Sequence, residues 1–252
     1  MSAKTTNQVI RHSTNRDIRE IKKWLFCDAQ STEGTFRCNW NLIEKSHKNG
    51  DLIVYVESKS DTAVAYQFGS LCCPGILEVR RDMRRKGIGR KLVEYRIAEA
   101  YASDECLLHI QCTPATSIPF WQRIGFTLIK SKSGEQFAYR ILEKKHIVPA
   151  NGKTVNVKIR FFPEDKKWDR KIRAYSVAKP PAVRTSDGVI HLNERVSLFN
   201  LLHPDCRDVV VEIKVAGQCW YCNKAKYPEA EQIGVKSCLN GFFIDQLFPE
   251  EK

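Results

Sequence analysis

The sequence predicts an α/β (α+β) chain in two parts. A mixed sheet flanked by helices spans residues 1–146, and a smaller β-rich domain spans residues 147–252. Three observations carry this reading. Through the first half, apolar residues at helical spacing alternate with short runs that are apolar at every second position or throughout. Around Glu143–Lys153 that pattern breaks into a charged stretch bearing Pro149 and Gly152, which is where the domain boundary is placed. Beyond it, Val155, Val157, Ile159 and Phe161 alternate with polar neighbours, as in a half-buried strand.

The elements follow in order. Ser13-Thr14-Asn15 caps a helix whose apolar positions are Ile18, Ile21, Leu25 and Phe26. A second helix runs from Cys38 to His47 and closes at Asn49-Gly50. Leu52–Glu57 and Ala63–Phe68 read as a hairpin around Ser58–Asp61, and Gly75–Arg80 as a third strand. Lys91–Tyr101 is a periodic helix carrying Leu92, Val93, Ile97 and Ala98. Cys106–Cys112 is a largely apolar strand, and Ile118–Ile124 a helix stopped by Gly125. Strands resume at Phe126–Ile129 and Phe137–Leu142. In the second part, Thr154–Phe162, Ile172–Val177, Val189–Leu192 and Val209–Val215 read as strands, punctuated by Lys179-Pro180-Pro181 and Ser186-Asp187-Gly188. No internal repeat is visible.

Composition narrows the function classes. The 252 residues are 42% hydrophobic and 28% charged, the balance of a chain that buries a core. Apolar runs such as Leu52–Val56 fall far short of the roughly 20 residues a membrane span needs, so no membrane partner is expected. Met1–Arg11 lacks the apolar stretch of a secretory signal, so a cytoplasmic location is expected, with the 10 cysteines reduced. The 41 Lys and Arg against 29 Asp and Glu give a formal charge of +12, spread over both parts rather than held in a tail. Such an excess favours an anionic partner, whether a nucleotide, a nucleic acid or an acidic surface.

The chemistry concentrates at Arg84-Arg85-Lys86-Gly87-Ile88-Gly89-Arg90-Lys91, between a predicted strand and a predicted helix. A helix N-terminus presents unpaired N–H groups and the positive end of the helix dipole. Gly87 and Gly89 clear side chains from that end, so a phosphate can rest on the backbone among basic residues. A solvated glycine turn is the other reading of a bare G-x-G. The segment is not a dinucleotide fingerprint, which needs a third glycine, nor a P-loop, which needs G-K-[ST].

With Leu77-Glu78-Val79 ending the strand before it, Arg84-x-x-Gly87-x-Gly89 resembles the acyl-CoA site of the GNAT superfamily of N-acetyltransferases. Phe120-Trp121-Gln122-Arg123-Ile124-Gly125-Phe126 resembles that family's second signature. The motifs cover Leu77–Phe126, and the element order extends the likeness to about residue 145. The resemblance implies acetyl-CoA as acyl donor. It implies a pantetheine arm between splayed fourth and fifth strands, along Leu77, Glu78 and Val79. The pyrophosphate would sit over Arg84, Arg85, Lys86, Gly87, Ile88, Gly89 and Arg90, and an amine would attack the thioester directly. Trp121, lining the acceptor cleft, stands where the family usually carries a Tyr that protonates the thiolate, and an indole N–H is only a donor. Tyr95, Tyr101, Tyr139 or water supplies that proton, or catalysis has been lost.

Glu78 and His109 are the candidate bases. Glu78 is either the cleft carboxylate or a surface acid paired with the nearby arginines. His109 is either a base suited to neutral pH or a core histidine. Cys112 reads as a buried thiol. In the tail, Cys219-Trp220-Tyr221-Cys222 with Cys206 and Cys238 would make a tetrahedral zinc site, against ordinary buried thiols. The run Lys167, Trp168, Arg170, Lys171 and Arg173, with Tyr175, suits nucleic-acid phosphates and base stacking, against a solvated hairpin. The expected activity is acetyl transfer to an amine on a protein or an aminoacyl-tRNA. The alternative is a CoA-binding protein without catalysis, whose second domain binds nucleic acid or a protein.

Overall fold

The computed structural model describes residues 9–27, 36–71, 75–129, 134–167, 169, 171–199, 208–239 and 241–249. The chain divides into two units, one of Met1–Ser103 with Leu108–Arg140 and the other of Asp104–Leu107 with Ile141–Lys252.

In the first unit, strands β1 (Val9–His12), β2 (Ile53–Glu57), β3 (Thr62–Phe68) and β4 (Ile76–Val79) form an antiparallel sheet in that order. Helices α1 (Asn15–Cys27) and α2 (Trp40–Lys48) cover one face, and α3 (Ile88–Ala102) the other. Ile21, Trp24, Leu25 and Ile43 pack with Val54, Val56, Ala63 and Tyr66, while Ile88 and Leu92 pack with Ile53, Tyr55, Val64 and Ala65. Because both faces are covered, β2 and β3 are apolar almost throughout rather than alternating. A second sheet holds β5 (Leu107–Gln111), β7 (Phe137–Ile141) and β6 (Thr127–Ile129) in that order, with the short helix α4 (Ile118–Arg123) between β5 and β6 in the chain. β4 and β5 are therefore edge strands of different sheets.

The second unit is a sandwich. One sheet has the order β10 (Ser176–Ala178), β9 (Val157–Pro163), β13 (Val209–Val215), β14 (Gln218–Lys224). The other has β15 (Lys236–Cys238), β16 (Gly241–Leu247), β12 (Ile190–Phe199), β11 (Ala182–Arg184), β8 (Lys153–Thr154). A short helix α5 (Pro228–Gln232) lies between β14 and β15 in the chain. Ile159, Phe161, Val211 and Ile213 from one sheet meet Ile190, Leu192, Leu198 and Ile244 from the other in a single core.

Several elements depart from the sequence expectations. The predicted strand Thr154–Phe162 is two strands in different sheets, because the chain crosses between layers at Val155, whose N–H bonds Ala182 O at 3.0 Å. Strand character begins at Ser176 rather than Ile172, and α3 begins at Ile88, three residues before the predicted start. β12 runs past Leu192 to Phe199 through polar Asn193, Glu194 and Arg195. β1, β14, α5 and β16 were not expected. Among the described residues no helix is long and apolar enough to cross a membrane.

Arg195 explains the polar stretch in β12. Its side chain is 2% exposed. It donates to both carboxylate oxygens of Asp245 at 2.8 and 2.6 Å, to Asp104 at 2.9 Å and to Cys106 Sγ at 3.3 Å. Its guanidinium lies 4.0 Å from the Phe243 ring centroid. Lys144 at 2.7 Å and then Arg195 hold the Asp104 carboxyl down to about 2. Burial opposes ionisation of Asp245, but Arg195 and then His146 still hold it below the ordinary carboxylate range. Truncating the cation would strand a buried carboxylate, so Arg195→Met is expected to cost about 3–5 kcal/mol in urea unfolding. A cost under about 1 kcal/mol would show that the cluster is dispensable. Both aspartates are depressed in the folded state, so their stabilisation is present above about pH 4 and lost as the pH falls toward 2. Urea midpoints should fall over that window, and Asp104→Asn should flatten the fall.

Candidate active site

The junction between β4 and α3 is built by backbone geometry. After Arg81–Met83 form a single 3-10 turn, Arg85 takes φ +64° and Gly87 φ +78°, and α3 starts at Ile88. Gly87 fills a left-handed position that L-residues avoid, and a Cβ there would meet nothing within 4 Å. Gly89 has a different role. A Cβ on it would lie 3.4 Å from the Phe120 ring and 3.6 Å from Leu77 Cδ2. These are ordinary contact distances, so position 89 faces α4 and β4, a placement not anticipated from the sequence. The first-turn amides of Ile88, Gly89 and Arg90 lie before the first intrahelical bond, Lys91 N to Gly87 O at 3.2 Å.

The basic residues around this end are partly committed. Arg84 Nε donates to Val79 O at 3.0 Å, Lys86 Nζ lies 3.2 Å from Met83 Sδ, and Arg90 pairs with Glu94 at 2.7 Å. Lys91 Nζ sits 5.8 Å from the Tyr55 ring centroid. Arg84, Arg85, Lys86 and Arg90 are all exposed.

Alternation along β4 sets what each residue faces. Leu77 and Val79 join the core beneath α3, so Glu78 points to the other face, opposite Tyr66 in register. It is 6% exposed, which removes the surface-acid alternative. Tyr66 Oη donates to Glu78 Oε2 at 3.0 Å and the Phe36 N–H donates to the same oxygen at 3.3 Å. Burial, then the charge of Glu78, pushes the Tyr66 phenol far above its ordinary range, so Tyr66 is a hydrogen-bond donor and a poor acid. Tyr66 was not singled out in the sequence. The β2–β3–β4 register was the signal that would have found it.

His109 in β5 is half-buried and stacks on Phe137 at 5.2 Å. Burial lowers its pKa, which favours the neutral imidazole. Its backbone N–H bonds Leu71 O at 2.9 Å. Trp121 is 8% exposed and meets Phe120 and Phe126 edge-on at 5.0 and 5.2 Å. It packs as part of an aromatic cluster.

In the second unit, Lys171 and Arg173 are exposed, whereas Trp168, Arg170 and the Lys167 side chain lie outside the described residues. Tyr175 packs against the sandwich core rather than standing ready for a base. The four-cysteine zinc set is not assembled. Cys219 and Cys222 are on the β10–β9–β13–β14 sheet, while Cys238 is on the other sheet and hydrogen-bonds Cys106. Cys206 lies outside the described residues, and among those described no group of three or more metal-ligating side chains occurs.

Comparison with known proteins bears on the first unit. A model of the FR47-like protein family matches residues 59–133, which include β4, the glycine junction, α3 and α4. No curated protein matches the chain. Solved structures similar to it include a GNAT-family acetyltransferase from Listeria monocytogenes 4b F2365, with 12% identity, 56% of this chain and 99% of that chain covered, and a TM-score of 0.46. An N-acetyltransferase from Staphylococcus aureus Mu50 has 22% identity, 54% and 98% coverage, and a TM-score of 0.38. The PaiA N-acetyltransferase from Thermoplasma acidophilum, in complex with coenzyme A, has 13% identity, 54% and 99% coverage, and a TM-score of 0.40. Residues 59–133 of the N-terminal region are thus similar to the FR47-like protein family.

Proposed function

We propose that the N-terminal region transfers an acetyl group from acetyl-CoA to an amine on a macromolecule, a protein or an aminoacyl-tRNA, and that the second unit recognises that acceptor. The observation that carries this reading is the β4–α3 junction. There a half-buried edge strand leads to a helix N-terminus capped by Gly87 and surrounded by exposed basic side chains.

In this reading the amides of Ile88, Gly89 and Arg90 hold the pyrophosphate, with Arg85 and Lys86 supplying charge. The edge of β4 holds the pantetheine arm alongside Leu77. Glu78, oriented by Tyr66 and Phe36 N–H, takes the proton from the acceptor amine, directly or through one water. The N–C bond forms and the C–S bond breaks. The thiolate leaves without an acid from Trp121, because thiols ionise near pH 8–9 and the sulfur carries its charge readily. Water then protonates it. Lys171 and Arg173 in the second unit supply exposed cations for an anionic acceptor.

The buried aromatic packing of Trp121 favours a second reading, a domain that binds CoA and no longer turns over. Glu78→Gln separates the two. In the first reading it lowers label transfer from radiolabelled acetyl-CoA by about 10²–10⁴ and leaves CoA affinity unchanged. Bound CoA with no transfer by the unmodified chain to small amines, proteins or aminoacyl-tRNA would support the second.

Gly87→Ala is expected to cost about 1–2 kcal/mol of stability through left-handed strain and to weaken CoA binding. Equal stability and unchanged affinity would remove Gly87 from the site. If the acceptor is tRNA, replacing Lys171 and Arg173 by Glu should weaken its binding and make it less salt-dependent, because counterion release scales with phosphate contacts. An unchanged salt slope would exclude these two residues.

A further inference from the structure

The transferase reading leaves Cys219-Trp220-Tyr221-Cys222 unused. On a regular strand, residues three apart point to opposite faces. Here the register changes: Ile213 lies opposite Tyr221, but Lys214 lies opposite Cys219. Trp220 is therefore the extra residue of a β-bulge. Cys222 lies opposite Glu212, so the two cysteines face Glu212 and Lys214, which share one side of β13. Val211, Ile213 and Val215 point the other way, into the sandwich core, and Trp220 and Tyr221 pack against that core with them. The bulge thus turns two thiols that would straddle the sheet onto its outer face.

Both cysteines are exposed, on a strand at the sheet edge. Cys219 Sγ lies 3.5 Å from Tyr221 O. Around them, Arg160 pairs with Glu212 at 2.6 Å, Lys214 reaches Glu212 at 3.6 Å, and Lys166 lies over the neighbouring Phe162 ring at 4.9 Å. Although Cys222 is exposed as a residue, partial desolvation of its thiol, then the charges of Cys219 and Glu212, raise its pKa. Lys166 and Arg160 act in the opposite direction. The two thiols thus share the outer face of one edge strand, beside Lys214 and Glu212.

We propose that Cys219 and Cys222 form a redox-closing dithiol that reacts with glutathione-type disulfides. Cys219, as its thiolate, attacks one sulfur of glutathione disulfide. The S–S bond of the oxidant breaks, one glutathione leaves as thiolate and takes up a proton, and a mixed disulfide remains on Cys219. The Cys222 thiolate then attacks the Cys219 sulfur, the second glutathione leaves, and an intrachain disulfide closes. Two thiols have been oxidised and one glutathione disulfide has been reduced to two thiols. The inference stands independently of acetyl transfer, because it uses only side chains of the second unit.

The full chain is treated with glutathione disulfide without oxygen, and peptides spanning residues 218–224 are weighed. The expected result is loss of two hydrogens from that peptide with no retained glutathione, while Cys222→Ser retains one glutathione on Cys219. Folded, untreated protein should also bind phenylarsine oxide at that peptide, protecting both thiols from alkylation. The proposal is overturned by glutathione retained on the unmodified peptide, by pairing of either cysteine with another thiol, or by both thiols remaining reduced. Failure of phenylarsine oxide to protect them together also overturns it.

Discussion

Everything proposed for the first unit depends on β4 being an edge strand that packs on both faces, half-buried except at Glu78, which is buried. Alternation sends Leu77 and Val79 under α3 and leaves Glu78 no direction except the layer beneath α1 and α2. A carboxylate placed there without partners would be costly. Tyr66 Oη and the Phe36 N–H supply its hydrogen bonds, so one constraint both buries an acid and orients it. In the proposed transfer this oriented carboxylate takes the amine proton, so the junction rather than any single motif carries the functional reading.

The same strand fixes the second half of the site. β4 must stop before α3 can start, and the turn between them takes left-handed backbone at Arg85 and at Gly87, where glycine adopts it without strain. Gly87 is the left-handed cap just before α3, whereas Gly89 lies inside the helix and faces Phe120 and Leu77. Neither glycine is interchangeable with the other. A G-x-G string conceals this, because the letters are equal and the geometry is not.

The layered half was legible in the sequence because its periods are long and clean: α1, α2 and the β2–β3 hairpin all follow from apolar spacing. β1 was missed because Val9 and Ile10 are too few to make a period, and β16 because Phe242, Phe243 and Ile244 run together without alternation. β14 was hidden by its own cysteines, which read as metal ligands while the ladder pairs them with Glu212 and Lys214. Polar residues in β12 obscured its length because the charge on Arg195 is balanced by Asp104 and Asp245, far away in sequence. Local pattern reports cores well. It does not report partners brought together by topology.

Amide hydrogen exchange with and without acetyl-CoA tests the central claim most directly. Ligand-dependent protection is expected to concentrate in Ile76–Val79 and Arg84–Arg90, with the β9, β13 and β14 strands unchanged. Protection confined to the second unit, or absent from the β4–α3 junction at saturating ligand, would contradict it.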